Sequence, residues 1–300
     1  MARNYFLDRD IIVDKLNNVY TILTNYNPPG YIFAYLKYVY TGSGLWKGYD
    51  RVLKQYGIHN LVKLEQKFNF ESCYDASFPI VYLSEIRTHL KPEEKLNHLL
   101  KHSASDDLIY YLIDFIENYV RVSNLGVTGS LLLGNYHKNS DIDLVIYGCK
   151  NSLDFIESFK GFEIDKEWII EANNNYNIDF ADKLYDNKRR GIYKGRRVSI
   201  LFVDDKPWRY CERICRKLGR VRFKGLISGD CKALFYPAVA TVQSSNEYQI
   251  STIINYEGVF SSALLGDREV IVEGMLMKCE EENVVIVGDR EVRGYIKPMQ

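Results

Sequence analysis

The sequence predicts an α+β chain, and three observations carry that reading. The first stretch holds runs of β-branched and aromatic residues separated by Pro and Gly. The middle shows apolar residues at helical 3, 4 spacing, then short apolar runs of strand length. The last quarter alternates short strand-like runs with Gly-containing turns. Period and punctuation of this kind distinguish helix from strand before any motif is considered.

In chain order, Val19–Leu23 and Tyr31–Tyr40 read as two strands of a hairpin, because Asn27-Pro28-Pro29-Gly30 between them is a strong turn signal. Gly42, Gly44 and Gly48 mark a loop, and Tyr49–Tyr56 reads as a short helix. Pro92-Glu93-Glu94 opens a helix, with Pro in the first turn and acids matching the helix dipole. A second helix is expected up to Val120, capped by Ser105 or Asp106, with Leu108, Leu112, Phe115, Ile116 and Tyr119 on one face. Ser152–Phe159 fits a helix, Val198–Val203 a strand and Trp208–Leu218 a basic helix. Ala238–Val242, Ile250–Tyr256, Glu269–Met277 and Asn283–Val287 follow as strands of a small β-barrel or sandwich, after a linker near Phe223 to Asp230. The expected organisation is a β-rich region over 1–88, a core over 89–222 and a small β-domain over 223–300.

Lys plus Arg and Asp plus Glu number 39 each, so no global field draws the chain to nucleic acid or membranes and any basic site must be local. The 24 tyrosines are read as core and interface material. Six cysteines occur without a Cys-x-x-Cys, and Cys211 and Cys215 stand at helix spacing, so they are read as structural thiols and not a zinc site. No signal-peptide core and no membrane-length apolar run is present, which makes the cytoplasm the expected location.

The segment that carries chemistry is Gly126 to Ile146. Gly129 leaves room for a phosphate to approach the backbone, and Ser130 offers an N–H and a hydroxyl at the start of a helix, where an anion is favoured. Asp141 and Asp143 stand two apart at the start of an apolar strand, so their carboxylates share a face. Paired carboxylates suit Mg²⁺, which keeps water and substrate phosphate among its ligands.

Gly-Ser, a short helix, then Ser-Asp-x-Asp entering a strand resembles the signature of the DNA polymerase β-like nucleotidyltransferase superfamily, over roughly residues 106 to 205. The whole chain is similar, more loosely, to archaeal proteins described as predicted nucleotidyltransferases. The resemblance implies Mg²⁺, as two ions, held by Asp141 and Asp143, and an NTP whose β and γ groups rest on Gly129 and Ser130. An acceptor hydroxyl would attack the α-phosphorus and pyrophosphate would leave, catalysis being mostly positioning and electrostatics. It also implies a third carboxylate on a neighbouring strand. Ser199 stands near that place in Val198–Val203, and Asp204 or Asp205 lies just past the strand end, with Asp179 and Asp182 as further candidates. Relatives often carry an arginine after Gly-Ser; this chain has Leu131, Leu132 and Leu133, with Lys138 as a substitute cation.

A basic belt runs through Lys188, Arg189, Arg190, Lys194, Arg196 and Arg197 and resumes from Arg209 to Lys224. Arg209, Arg213, Arg216 and Arg220 at 3, 4 spacing would align on one helix face as phosphate contacts for RNA, DNA or the triphosphate, or as a solvated or ion-paired face. Two functions are therefore carried forward. One is metal-dependent transfer of NMP from an NTP to a hydroxyl acceptor. The other is nucleotide or nucleic-acid binding on a fold that has lost its third acid.

Overall fold

The computed structural model describes residues 3–102, 107–137, 140–243 and 247–299, so Lys138 and the cap candidates Ser105 and Asp106 lie outside the described residues. The chain forms two compact units, each assembled from three stretches. The first takes Met1–Val52, Val81–Lys166 and Asp186–Trp208; the second takes Leu53–Ile80, Glu167–Tyr185 and Arg209–Gln300.

In the first unit an antiparallel sheet runs in the order Gly48–Arg51, Tyr31–Gly44, Val19–Ile22, Ile11–Asp14 and Ile86–Leu90. The hairpin across Asn27–Gly30 forms, with Val19 opposite Tyr38 and Ile22 opposite Ala34. The short helix expected over Tyr49–Tyr56 does not. Gly48–Arg51 pairs instead with the long strand, Tyr40 facing Tyr49 with ring centroids 5.2 Å apart. Cross-strand aromatic pairing outweighs the weak helical preference of so short a segment.

The second sheet of this unit has the order Arg190–Tyr193, Arg196–Val203, Ile142–Tyr147 and Leu125–Val127. Arg196–Val203 lies parallel to Ile142–Tyr147, and the outer pairs are antiparallel. One face is apolar to the core. Phe155, from helix Cys149–Ser158, stacks on Phe159 and meets Phe202 of the sheet, while Phe115 and Tyr119 close on Phe159. On the other face Leu7 packs against Val145, Tyr147 and Val203. Below Leu7, Arg3 and His89 pair with the buried Asp10, and Arg3 with Glu93. Burial alone would raise the Glu93 carboxyl, but hydrogen bonds and charge from Arg3 hold it below the usual range.

In the second unit, strands Cys215–Gly229, Ala238–Val242, Ile250–Asn255, Glu282–Val287 and Gly266–Cys279 pair in that sequence, and the last pairs back to the first. This closed circuit surrounds Val221, Phe223, Ile253, Phe260, Val270, Val272 and Val285. Closure leaves no exposed edge between these strands.

Here two expectations are corrected. Trp208–Leu218 is not a basic helix, and Phe223 to Asp230 is not a linker: residues 208–214 form turns and loop, while residues 215–218 and most of the expected linker belong to the strand Cys215–Gly229. Val221, Phe223 and Ile227 point inward while Arg220, Arg222 and Lys224 point out, a period of two that buries one face. The cysteines are also not all thiols. Cys73 is joined to Cys211 and Cys215 to Cys279, the latter directly across two paired strands. Disulfides are usual in oxidising compartments and in the intracellular proteins of hyperthermophiles. No helix among the described residues is long and apolar enough to cross a membrane.

Candidate active site

The site is built at one end of the four-stranded sheet of the first unit. Strand Leu125–Val127 ends, residue Thr128 donates its N–H to the Asp143 carbonyl at 2.9 Å, and the chain turns into helix Gly129–Leu133. Asp141 and Asp143 enter the adjacent strand two residues apart, with Asp141 exposed and Asp143 partly buried. The Gly129 turn and Asp143 are thus adjacent. Gly129 has φ +62, and a Cβ there would stand 2.3 Å from Oδ2 of Asp143. Only glycine can therefore occupy this position while the Asp143 carboxylate keeps its place.

The leucines that replace the usual arginine have a structural role. Leu131 and Leu132 are buried, and Leu132 packs on Ile11, Val13, Val19 and Tyr38 of the antiparallel sheet. Gly134, with φ +81, caps the helix by donating its N–H to the Ser130 and Leu131 carbonyls. Lys47 donates to the Gly134 carbonyl at 2.6 Å. Further along, Arg196 donates to the Ser140 carbonyl at 2.7 Å, and His137 and Ser140 are joined by N–H to Oγ at 3.0 Å. The loop that precedes Asp141 is held at both described ends.

The third position falls on Ser199. It is directly opposite Asp143 in the parallel register, so the two side chains share a face. Arg190 is directly opposite Ser199 on the next strand. One row across three strands therefore reads Asp143, Ser199, Arg190. Arg197, two positions before Ser199 on that face, pairs with Asp165 at 2.9 Å.

Asp204 does not join the row. It lies past the far end of the strand, five residues from Ser199 and so ~16 Å away at strand rise. Its carboxylate accepts hydrogen bonds from Trp208 Nε1 at 2.8 Å and from the Lys206 N–H at 3.3 Å. Asp205 follows it, exposed. Asp179 and Asp182 belong to the second unit. Among the described residues no group of three or more His, Cys, Asp or Glu could hold a metal ion. The donors suited to Mg²⁺ are the carboxylates of Asp141 and Asp143, the latter beside the bare Cα of Gly129, with water and phosphate completing the shell of such an ion.

Two features of the site were not foreseen. Arg9, with φ +70, follows Leu7 over this face of the sheet, and its carbonyl accepts the Thr128 hydroxyl at 2.8 Å. Beside it Asp8 is buried, pairs with Arg9 Nε at 3.1 Å, and is pushed up to about 7 by burial against the pull of Arg9. No local pattern announces this, since it depends on a contact across more than a hundred residues. The placement of Arg190 did have a signal. Lys194-Gly195, both at positive φ, is a two-residue hairpin turn between strands Arg190–Tyr193 and Arg196–Val203, and it sets the register that brings Arg190 to Ser199. Arg189 turns to the other face over the Phe202 ring, where burial lowers its guanidinium to about 10, leaving it charged at neutral pH.

The arginines beyond residue 208 are not gathered into one helical face. Arg213 pairs with Glu282 and Arg220 with Glu273, and Arg216 donates to the Ser72 carbonyl. Arg209 is exposed ahead of the strand.

The Gly-Ser turn and the strand that opens with Asp-x-Asp lie within residues 109–203, which match the family model described as a nucleotidyltransferase domain. Over 95% of its length the chain is 25% identical to an uncharacterized protein of Methanocaldococcus jannaschii, across 93% of that protein. No solved structure matches the chain.

Proposed function

We propose that the first unit binds an NTP with Mg²⁺ and transfers its NMP group to an acceptor, with release of pyrophosphate. The observation that supports this best is the packing of the Asp143 carboxylate against the bare Cα of Gly129, an acid suited to a metal beside a turn suited to a phosphate. Asp141 and Asp143 would hold Mg²⁺, which supplies charge neutralisation for the triphosphate and the leaving group. Ser130 and the turn at Gly129 offer donors to the β and γ phosphates. Thr128, fixed by Asp143 and Arg9, keeps turn and carboxylate in register. Lys138 stands as a further triphosphate contact in this reading, and a polynucleotide such as RNA as one class of acceptor.

A second reading is favoured by Ser199. A hydroxyl in register with Asp143 ligates a cation less well than a carboxylate, so the domain would retain nucleotides without transferring them. Incubation with each α-labelled NTP and Mg²⁺, with pyrophosphate release and protein-bound label followed together, tests the choice. Metal-dependent pyrophosphate release supports transfer. Retained nucleotide without pyrophosphate supports binding alone.

A further inference from the structure

From the row Asp143, Ser199, Arg190 we infer that the acceptor is a phosphomonoester and not a hydroxyl. The inference rests on the nucleotidyl-transfer reading and gives it a substrate class. A hydroxyl nucleophile must lose its proton as it attacks, and a carboxylate beside the metal acids is a natural base for it. In this chain the position beside Asp143 holds Ser199, which is no base at neutral pH. The next position in the row holds Arg190, and Arg197 stands on the same face two residues before Ser199. The row thus runs from the acid at Asp143 to a guanidinium at Arg190 within two strands, while Arg197 on the same face is paired with Asp165.

A phosphomonoester meets both conditions. Its second ionisation falls near pKa ~6, so at neutral pH it is largely a dianion and needs no base. Its oxygens accept from a serine hydroxyl and from guanidinium forks, the donors that Ser199 and Arg190 place there. A carboxylate in place of Ser199 would instead repel it. The step balances without a proton: a lone pair on a phosphomonoester oxygen forms a bond to the α-phosphorus, and the bond from that phosphorus to the α–β bridging oxygen breaks. Its electron pair leaves with pyrophosphate, and the product is a mixed phosphoanhydride.

The test offers the full chain α-labelled NTP and Mg²⁺ with matched acceptors. These are glycerol 3-phosphate against glycerol, and a 3′-blocked oligonucleotide with a 5′-phosphate against the same oligonucleotide with a 5′-hydroxyl. Label is expected on a phosphorylated member and at least tenfold less on its unphosphorylated partner; which pair responds separates a small molecule from a nucleic-acid end. Ser199→Asp is expected to lower that transfer at least tenfold, while Mg²⁺-dependent NTP binding persists. A second readout needs no turnover. Without Mg²⁺, equilibrium dialysis of the labelled phosphomonoester is expected to show binding that Arg190→Gln weakens about tenfold. Equal labelling of both members of a pair, labelling of hydroxyl acceptors alone, or NTP binding with no labelled acceptor would overturn the inference and leave the NTP site standing. Absence of metal-dependent NTP binding would overturn both readings together.

Discussion

At the scale of single residues, the site depends on positions where one atom decides the outcome. A methyl group at position 129 would meet Asp143 Oδ2 at 2.3 Å on a backbone with φ +62. Gly129→Ala should therefore displace the carboxylate or the turn, at a backbone cost of about 1–2 kcal/mol before the clash is counted. NTP affinity should fall at least tenfold, with a lower melting temperature; calorimetry and a thermal melt read the two effects separately. Glu257 supplies a second residue-scale prediction, in the second unit. It is buried, accepts the Ile58 N–H at 2.9 Å, and is pushed up to about 7, chiefly by burial. Because the folded value is raised, the native state holds a proton that the unfolded chain releases near pKa ~4.3. Stability should then fall as pH rises from about 4.5 to 7, by a few kcal/mol in total. Asp8, raised to about 7, adds to the trend in the first unit. The melting temperature measured from pH 5 to 8 should decline in the wild type and less steeply in Glu257→Gln. An equal slope in both would remove Glu257 from this explanation.

At the scale of elements, the five-residue helix after the turn depends on tertiary packing, since so short a helix has little stability of its own. Leu132 is its anchor, almost fully buried against three strands. Leu132→Ala should cost about 2–5 kcal/mol and loosen the turn at Gly129. A denaturant titration measures the first effect, and the NTP affinity of the folded fraction measures the second. Strand Cys215–Gly229 is tied to strand Gly266–Cys279 by a long antiparallel ladder and by the Cys215–Cys279 disulfide. Removing that disulfide by Cys215→Ser/Cys279→Ser should lower stability by about 2–4 kcal/mol, read as an earlier denaturant midpoint. Elements also show where the sequence was legible. The Asn27–Gly30 hairpin and the strand over 198–203 were visible because turn chemistry and apolar period agreed. The strand at 215 was misread because Arg209, Arg213, Arg216 and Arg220 happen to stand at 3, 4 spacing. The alternation from Val221 onward was the stronger physical signal, since it decides which face is buried.

At the scale of the whole molecule, each compact unit draws on three separated stretches of chain. No local pattern encodes such an assembly, so the site was only partly readable in advance. Gly129, Ser130, Asp141 and Asp143 could be proposed from the sequence because their chemistry is concentrated within fifteen residues of chain. Ser199 was legible as a replacement, and the register places it opposite Asp143. Arg9 and Asp8 were not, because they reach the site through the fold. Asp204 was misplaced because nearness in sequence to the strand end says nothing of which end carries the site. The central claim is that these separated stretches assemble one metal-dependent nucleotide site. Its most direct test is calorimetric titration of Mg²⁺ with each ribonucleoside triphosphate, on the wild type and on Asp141→Ala/Asp143→Ala. The account predicts heat that requires Mg²⁺ in the wild type and is lost in the double variant. Equal heats in both proteins, or none in either, would contradict it.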